Sequence, residues 1–318
     1  KNQVEKIVVY EGMIDNLINN VNNFDLNDDW IKKIIGIASN EGDGYGIDNL
    51  ADNVYMRQEL EKFKNGLGCH FVELFQGYLS KNNNNNTKFE YDQQGDPSNN
   101  DLITEINQGS PLLLYAGHAN EVSLSTTNFS TLDVDSLTNF NKYFLGCVVG
   151  CSLGSHDEDY MSLSENLQVA EDKGSIAMFV SSILQSWTPP MHMQRKLNEN
   201  IINSESTQTI GELFRDSVSV SEFFNNSDYW YYHILGDPST RFILTLPQIK
   251  TIIESEPESE PSGDGIMVTI NLNDSYGDGW NGAIMTITNS QDIIVFNTGG
   301  TDDDGLDGYD NPETNSYD

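Results

Sequence analysis

Short apolar runs recur along the first 248 residues of the chain, separated by longer stretches in which apolar residues follow a helical period. The runs are Ile34–Ala38, Phe71–Phe75, Pro111–His118, Tyr143–Cys151 and Ser175–Ser181. Short continuous apolar runs are typical of strands buried on both faces of a parallel sheet. These five runs therefore predict the central strands of the fold.

Amphipathic stretches predict helices between these strands. They cover residues 49–65, 101–108, 162–172, 191–202 and 210–224, and Gly66 is expected to end the first of them. Strands that alternate with helices predict a mainly parallel sheet with helices on both faces. The predicted fold class is therefore α/β.

The pattern changes after residue 248. Residues 249–265 form an acidic linker rich in Pro, Ser and Glu, which cannot bury a core. Residues 266–272, 283–289 and 292–297 alternate apolar and polar positions, which predicts antiparallel strands within a small β module over 266–300. Three strands make a weak domain, so we expect this module to be truncated or supported by a metal. An acidic tail, residues 301–318, follows.

A low-complexity tract lies within the first 248 residues. Residues 81–87 include five Asn, which predicts a loop.

Two of the predicted strands end on residues with nucleophilic or basic chemistry. His118 follows one apolar run and Cys151 follows the next. In open α/β sheets, sites form in the crevice beyond the carboxyl ends of the strands. Because a Cys–His pair can carry out acyl transfer through a thioester, these strand ends are the candidate active site.

Several other assignments are open for these residues. Cys151 lies in a tight Gly-Cys-Ser-Leu-Gly turn that would expose its sulfur, but a buried cysteine at a strand end is the simpler alternative. Cys147 lies inside the apolar run and is expected to be core. Cys147, Cys151 and His156 have a zinc-like spacing without a fourth ligand in sequence. His156 is also a rival general base, ranked below His118.

Composition narrows the choice of partners. The 318 residues contain 49 Asp and Glu against 16 Lys and Arg, a net charge of −33, which disfavours nucleic acids and anionic membranes as partners. Three cysteines give no disulfide framework. An apolar run of about 18 residues, as a membrane span requires, is not found. The chain does not begin with Met, so we expect a fragment or a processed form.

A set of motifs in one order resembles the gingipain-like cysteine peptidases of family C25, relatives of caspases and legumain. The resemblance covers about residues 3–248. The motifs are Tyr-Ala-Gly-His118, Val-Val-Gly-Cys151-Ser-Leu-Gly, Leu-Gln-Ser-Trp187-Thr-Pro-Pro, Leu-Gly-Asp-Pro-Ser239 and, upstream, Ile-Ala-Ser-Asn-Glu41-Gly. The resemblance implies a caspase-like catalytic domain over residues 1–248 that lacks most of the family's N-terminal subdomain. It also implies a secreted protein.

The same resemblance implies catalytic roles. Cys151 matches the nucleophile, His118 the general base and Glu41 the acid that orients the imidazole. The backbone N–H groups of Ala119 and Cys151 match the oxyanion hole. The family usually has Gly where this chain has Ala119, which still supplies an N–H group.

The resemblance further implies a pocket for the residue before the scissile bond, the P1 residue. Asp52 falls where members specific for basic residues keep a carboxylate, and Trp187 matches the aromatic residue that covers it. A carboxylate under an indole face suits Arg or Lys. On sequence alone, an exposed helix acid is the simpler explanation for Asp52.

The C-terminal module carries a candidate metal loop. Residues 273–283 are dense in Asp, Asn and Gly, and Asp274, Asp278 and Asn281 can offer oxygen ligands to Ca²⁺. The spacing is not that of an EF-hand, and an ordinary cluster of β-turns is the alternative. The loop is similar to loops of adhesin-like β modules.

The leading hypothesis is a secreted cysteine endopeptidase that needs no cofactor for catalysis, with Arg or Lys preferred at P1. Its expected partners are protein and peptide substrates and the absent N-terminal subdomain or a propeptide. The rival from another class is a catalytically silent adhesin with a Ca²⁺-dependent β module. A zinc-dependent hydrolase is the third hypothesis. Cys151 should be readily alkylated only in the active peptidase.

Overall fold

The structure is a computed structural model that describes residues 2–19, 29–77, 96–157, 159–204, 208–219, 231–242, 244, 284–288 and 294–299. The chain divides into two compact units, Lys1–Ile252 and Ile253–Asp318. The candidate site lies in the first unit.

The described strands of the first unit are β1 (Lys33–Ala38), β2 (His70–Phe75), β3 (Leu112–Ala116), β4 (Ala119–Asn120), β5 (Ser123–Leu124), β6 (Phe129–Ser130), β7 (Phe144–Val149), β8 (Ser175–Ser181), β9 (Gln208–Thr209), β10 (Tyr232–Leu235) and β11 (Arg241–Phe242). The described α-helices are α1 (Asn2–Asn19), α2 (Asp52–Leu67), α3 (Asn99–Gln108), α4 (Leu163–Val169), α5 (Thr188–Asn203) and α6 (Ile210–Val218).

A six-stranded sheet forms the centre of the unit, in the order β10-β8-β7-β3-β1-β2. β1, β2, β3, β7 and β8 pair in parallel, and β10 is antiparallel to β8. β1, β3, β7 and β8 are buried along their whole length, as their continuous apolar sequences require. The predicted α/β class with a mainly parallel sheet is therefore confirmed.

Helices cover both faces of this sheet. On one face the core includes Tyr10 of α1, Leu60 of α2, Leu197 of α5 and Leu213 of α6. On the other face the core includes side chains from α3 and α4, for example Leu102 and Leu167. Because the apolar layers cover the two faces of the sheet, a site can form at the carboxyl ends of the parallel strands.

The predicted end of α2 at Gly66 is wrong. The helix runs from Asp52 to Leu67 and is capped by Gly68, which has φ +67° and donates its N–H to Lys64 O. A left-handed residue is needed at the cap, and glycine adopts it without steric penalty. Gly66 instead makes room for a neighbour, since a Cβ there would lie 2.7 Å from Ile202 Cγ2.

Other helix bounds differ from the predicted ones by a few residues. α3 begins at Asn99 since Ser98 and Asp101 form a capping box. α4 ends at Val169 rather than at residue 172. α5 begins at Thr188, three residues earlier than predicted, because proline is well accommodated in a first helical turn. The prediction for the last helix extended to 224, and residues 220–224 lie outside the described part.

The sequence patterns did not predict α1. Its buried positions Lys6, Tyr10 and Ile14 follow a helical spacing, but a lysine on the buried face obscures the apolar pattern. The Lys6 ammonium donates hydrogen bonds to the carbonyl oxygens of Leu167 at 3.1 Å, Lys173 at 2.8 Å and Ser175 at 3.2 Å. These bonds satisfy its three N–H groups and hold α1 to the end of α4 and the start of β8.

In the second unit the structure describes two antiparallel strands, β12 (Ile284–Thr288) and β13 (Ile294–Gly299). They overlap the predicted strands 283–289 and 292–297. The predicted strand 266–272, the Asn-rich tract, the linker and the acidic tail lie outside the described residues, as do Asp274, Asp278 and Asn281.

Among the helices that are described, none is long and apolar enough to cross a membrane.

We predict that Lys6 makes stability depend on pH. Burial lowers the pKa of Lys6 from 10.5 to about 8, against an opposing effect of the Asp172 charge. Between these values the unfolded chain holds a proton that the folded chain releases, so the free energy of unfolding should rise with pH. The rise should total about 3 kcal/mol relative to Lys6→Met. Chemical denaturation across this window measures it.

Lys196→Met is the matched control, because Lys196 is 38% exposed on α5. This variant should keep the pH dependence of the wild-type protein. Identical pH dependence in Lys6→Met and the wild-type protein would contradict the prediction.

Candidate active site

Three neighbouring strands end at the same edge of the sheet. β3 pairs with β7 so that Ala116 lies opposite Val149. Beyond these residues the Gly117 N–H donates to Val149 O at 3.1 Å, and the Ser39 N–H, after β1, donates to Ala116 O at 2.9 Å. The register therefore brings the segments after β1, β3 and β7 together, and with them His118 and Cys151.

A cleft of about 400 Å³ lies at this edge and is partly open to solvent. It brings together Cys151, His118, Asp52 and Trp187, four of the residues that sequence reasoning selected. The remaining lining residues come from the ends of β3 and β7, from the segment before α5 and from α5 itself, and they are Gly117, Val149, Gly150, Gln185, Ser186 and Met191. The segment that leads from β8 to α5 thus supplies one wall.

Gly150 allows the two strand ends to approach each other. A Cβ at this position would lie 2.9 Å from Ala119 Cβ and 3.1 Å from Gly117 O. Any larger residue would push the segment after β3 away from Cys151. The backbone groups of Ala119 and Cys151, the predicted oxyanion hole, therefore belong to segments in close contact.

The His118 ring contacts a carboxylate and an indole. Its Nε2 lies 2.9 Å from Glu41 Oε2, and both side chains are 54% exposed. The edge of the ring meets Trp187 at a centroid distance of 5.5 Å. With Nε2 donating to the carboxylate, Nδ1 is the nitrogen left to exchange a proton with a reacting group.

The Cys151 sulfur accepts a hydrogen bond from the Gln185 backbone N–H at 3.4 Å. Among the residues that the structure describes, no hydrogen bond joins this sulfur to the imidazole. The next residue, Ser152, has φ +57°, a left-handed conformation that bends the chain sharply after the nucleophile position.

The three cysteines are free but differ in environment. Burial raises the pKa of Cys69 and of Cys147 to about 12, whereas Cys151 is half-buried at the cleft. Cys147 is core, as its position in the apolar run predicted. Its two neighbours in the zinc hypothesis, Cys151 and His156, do not gather with it, since no cluster of three or more His, Cys, Asp or Glu suited to a metal occurs among the described residues.

Asp52 is a buried carboxylate and not the exposed helix acid that the sequence alone favoured. It is 2% exposed, accepts a hydrogen bond from Ser39 Oγ at 2.6 Å and accepts another from Trp187 Nε1 at 3.0 Å. Burial raises its pKa above 3.8, although both hydrogen bonds act in the opposite direction. The two hydrogen bonds therefore offset only part of the cost of burying this carboxylate, which makes it suited to bind a cation.

Gly42 makes the contact between Asp52 and Trp187 possible. It has φ +82°, and a Cβ there would lie 2.6 Å from Trp187 Nε1 and 3.0 Å from Asp52 Oδ1. The loop also closes on itself, because the Asp52 N–H donates to Glu41 O at 2.9 Å. Glu41, the acid beside His118, thus lies in the loop between β1 and α2, and Asp52 is the first residue of the helix that follows this loop.

Sequence reasoning missed Gln194, which lies under the site. This fully buried side chain donates from Nε2 to Tyr115 O and to Cys147 O, both at 3.1 Å, and accepts from the Tyr55 hydroxyl at 3.1 Å. It therefore joins β3 to β7 just before the strand ends that lead to His118 and Cys151. The sequence offered one signal for this residue, because a glutamine on the mainly apolar face of α5 indicates a buried hydrogen-bonding role.

The structure keeps His156 away from the cleft-lining residues. Its Nδ1 lies 3.1 Å from Gly154 O, and its ring packs against His233 at a centroid distance of 5.7 Å. Of the two candidate bases, His118 is the one that lines the cleft with Cys151.

The arrangement combines two chemical capacities. A thiol and an imidazole with a carboxylate on its far nitrogen can transfer an acyl group through a thioester. A buried carboxylate beside an aromatic ring in the same cleft can bind a cationic side chain.

Solved structures share this fold. The chain aligns with the complex of Porphyromonas gingivalis RgpB pro- and mature domains at a TM-score of 0.63 and 21% identity, covering 77% of this chain and 54% of that one. The crystal structure of the Arg-specific cysteine proteinase gingipain R gives the same TM-score and identity, with coverage of 77% and 53%.

The similar curated proteins are gingipains, and the matching family model is that of a peptidase family. Gingipain R2 of Porphyromonas gingivalis strain W83 is 25% identical over 294 residues, 88% of this chain, and gingipain R1 is 25% identical over 288 residues. The chain spans only 36% and 26% of the lengths of these relatives. The model of peptidase family C25 matches residues 1–243. The resemblance found in the sequence is therefore confirmed, and the chain belongs to peptidase family C25.

Proposed function

We propose that this chain is a cysteine endopeptidase that cleaves peptide bonds after Arg or Lys. The observation that carries the proposal is the buried, partly compensated carboxylate of Asp52 in the same cleft as Cys151 and His118. Membership of a peptidase family and likeness to gingipains support the reaction type. The Arg-specific proteinase among the structural neighbours supports the preference for a basic residue.

In the proposed reaction the Cys151 thiolate attacks the carbonyl carbon of the scissile bond. The carbonyl oxygen becomes an oxyanion that accepts hydrogen bonds from the N–H groups of Ala119 and Cys151. His118 gives a proton to the departing amine, and a thioester remains on the sulfur. Water then attacks the thioester while His118 takes its proton, and the carboxylic acid product leaves as the thiolate of Cys151 and the imidazolium of His118 are restored.

Glu41 orients the His118 imidazole in the proposed cycle. Its carboxylate lies 2.9 Å from Nε2, which leaves Nδ1 to exchange protons with the reacting groups. Both side chains are half exposed, so solvent screens the pair and its role is orientation more than charge stabilisation.

Asp52 and Trp187 form the proposed pocket for the P1 side chain. Each Asp52 oxygen already accepts one hydrogen bond and keeps a further lone pair for a guanidinium or ammonium donor. The incoming cation removes the unfavourable burial of an unpaired carboxylate. The net charge of −33 adds long-range attraction for basic substrates.

The proposal extends to partners and location. A propeptide is a candidate partner, because one structural neighbour is a complex of pro- and mature domains. Protein substrates outside the cell follow from the family resemblance, and the acidic surface disfavours nucleic acids. The chemistry above uses no cofactor. Calcium binding by Asp274, Asp278 and Asn281 stays a prediction, since these residues lie outside the described part.

We predict that an acyloxymethyl ketone probe with Arg at P1 labels the protein at Cys151. Cys151→Ala should abolish labelling, and His118→Ala should slow it at least about 100-fold because the proton acceptor is lost. Tandem mass spectrometry of the digested protein identifies the modified residue, because Cys147 and Cys151 fall on one tryptic peptide. Cys69 and Cys147 should stay unmodified.

His156→Ala is the matched control for this experiment and should label at the wild-type rate. If the folded wild-type chain does not react with Arg or other P1 probes, the catalytically silent scaffold becomes the better account.

We predict that Asp52→Asn lowers kcat/KM for Arg and Lys substrates by about 100- to 1000-fold, as expected for loss of one partner of a buried ion pair. Hydrolysis of a substrate with citrulline, a neutral analogue of arginine, should change far less. Steady-state kinetics on both substrates measure the ratio.

Asp43→Asn removes an exposed carboxylate from the loop that precedes α2 and serves as the control. An equal effect of Asp52→Asn on the Arg and citrulline substrates would refute the basic specificity while leaving the peptidase assignment intact.

We predict a pH dependence that belongs to the Asp52 pocket. Because burial raises the pKa of Asp52, protonation removes its charge at a higher pH than for an ordinary aspartate. The ratio of kcat/KM for Arg over citrulline substrates should therefore fall as pH decreases through the raised pKa, before the ordinary value of about 3.9 is reached. A ratio that stays constant over this range, or an identical fall in Asp52→Asn, would contradict the prediction.

A further inference from the structure

Residues 185–187, at the end of the segment 182–187 between β8 and α5, form one wall of the cleft. Gln185, Ser186 and Trp187 line the cleft. The Gln185 backbone N–H donates to Cys151 Sγ at 3.4 Å. The path of this short segment therefore decides whether a hydrogen-bond donor faces the sulfur.

The hydroxyl of Ser181, the last residue of β8, organises this segment. The residue is fully buried, and its Oγ accepts the Ile183 N–H at 3.1 Å and donates to Ile183 O at 3.2 Å. It also accepts a hydrogen bond from Gln185 Nε2. A serine hydroxyl has one proton and two lone pairs, so these three bonds use its full capacity.

The same segment is tied to the chain after the nucleophile. The Ser152 N–H donates to Ile183 O at 2.9 Å, and the Gly154 N–H donates to Ser181 O at 2.8 Å. Ser152 holds a left-handed conformation with φ +57°. Ile183 O is therefore shared between the Ser181 hydroxyl on one side and the turn that carries Cys151 on the other.

We propose that Ser181 is a positioning residue for Cys151. Its hydroxyl fixes the turn 182–185 so that the Gln185 N–H points at the sulfur and stabilises the thiolate when the thiol loses its proton. A hydrogen bond to an ionised acceptor is stronger than one to a neutral acceptor, so the bond favours the reactive form. Ser181 acts through Gln185 and touches neither substrate nor sulfur.

This inference rests on the proposed function only in taking Cys151 as the nucleophile. The property it predicts, the ionisation of the Cys151 thiol, can be measured without a substrate. Failure of the inference and failure of the proposed function are therefore separable.

The experiment measures the rate of alkylation of Cys151 by iodoacetamide against pH on the full chain, with peptide mapping. In Ser181→Ala the pH of half-maximal rate should move up by about 1 unit, the size expected for weakening one hydrogen bond to a charged group. For an Arg substrate, kcat should fall about tenfold while KM changes less. Ser181→Thr retains the hydroxyl and should restore the wild-type profile.

Ser182→Ala is the matched control, because its hydroxyl is bonded to His233 and Tyr231 O instead. It should leave the alkylation profile unchanged. If Ser181→Ala lowers thermal stability but leaves the alkylation profile and kcat as in the wild-type protein, Ser181 is merely structural and the inference is wrong.

A second variant covers the case in which Ser181→Ala does not fold. Gln185→Leu removes one partner of the Ser181 hydroxyl and keeps the backbone N–H, so a smaller upward shift is expected. No shift in this variant would overturn the inference. An alkylation shift in a chain that hydrolyses no peptide would uphold the positioning role and refute the proposed function.

Discussion

The parallel pairing of β3 with β7 is the constraint on which the site depends. Ala116 lies opposite Val149, and the hydrogen bond from the Gly117 N–H to Val149 O extends the register beyond both strands. A slip of one residue would turn alternate side chains to the other face of the sheet. His118 and Cys151 would then no longer face one cleft. Gln194 reinforces the register from below, because its amide joins the two strands.

Asp52 is a buried carboxylate without a positively charged hydrogen-bond partner among the residues that bond to it. Its carboxylate is buried with two neutral donors, Ser39 and Trp187, and burial still outweighs them in raising its pKa. Two neutral hydrogen bonds offset only part of the desolvation of a carboxylate. In the proposed enzyme, the cationic P1 side chain of a substrate relieves the remainder. The unfavourable interaction in the free protein is thus the origin of the proposed selectivity.

The sequence was sufficient for the strands and the two strand-end residues, because continuous apolar runs predict buried strands and parallel strands share an edge. The sequence was insufficient where the environment of a side chain depends on segments that are distant in the chain. The burial of Asp52 depends on Trp187, 135 residues away, and on the positive φ of Gly42. Composition could not reveal that Lys6 points inward, because its partners are three backbone carbonyls of other segments.

The segment between β8 and α5 joins specificity to reactivity. Gln185 donates to the sulfur through its backbone, and two residues later Trp187 donates to Asp52 through its indole. A segment that satisfied only one of these bonds would leave either the thiol or the carboxylate without its donor. The Ser181 hydroxyl stiffens the start of this segment, and the close fit of Trp187 against Gly42 restrains its end. Because both ends are fixed, the hydrogen-bond donor of the sulfur is in place before any ligand binds. In the proposed peptidase, pre-organisation of this kind lowers the entropy lost between the bound substrate and the transition state.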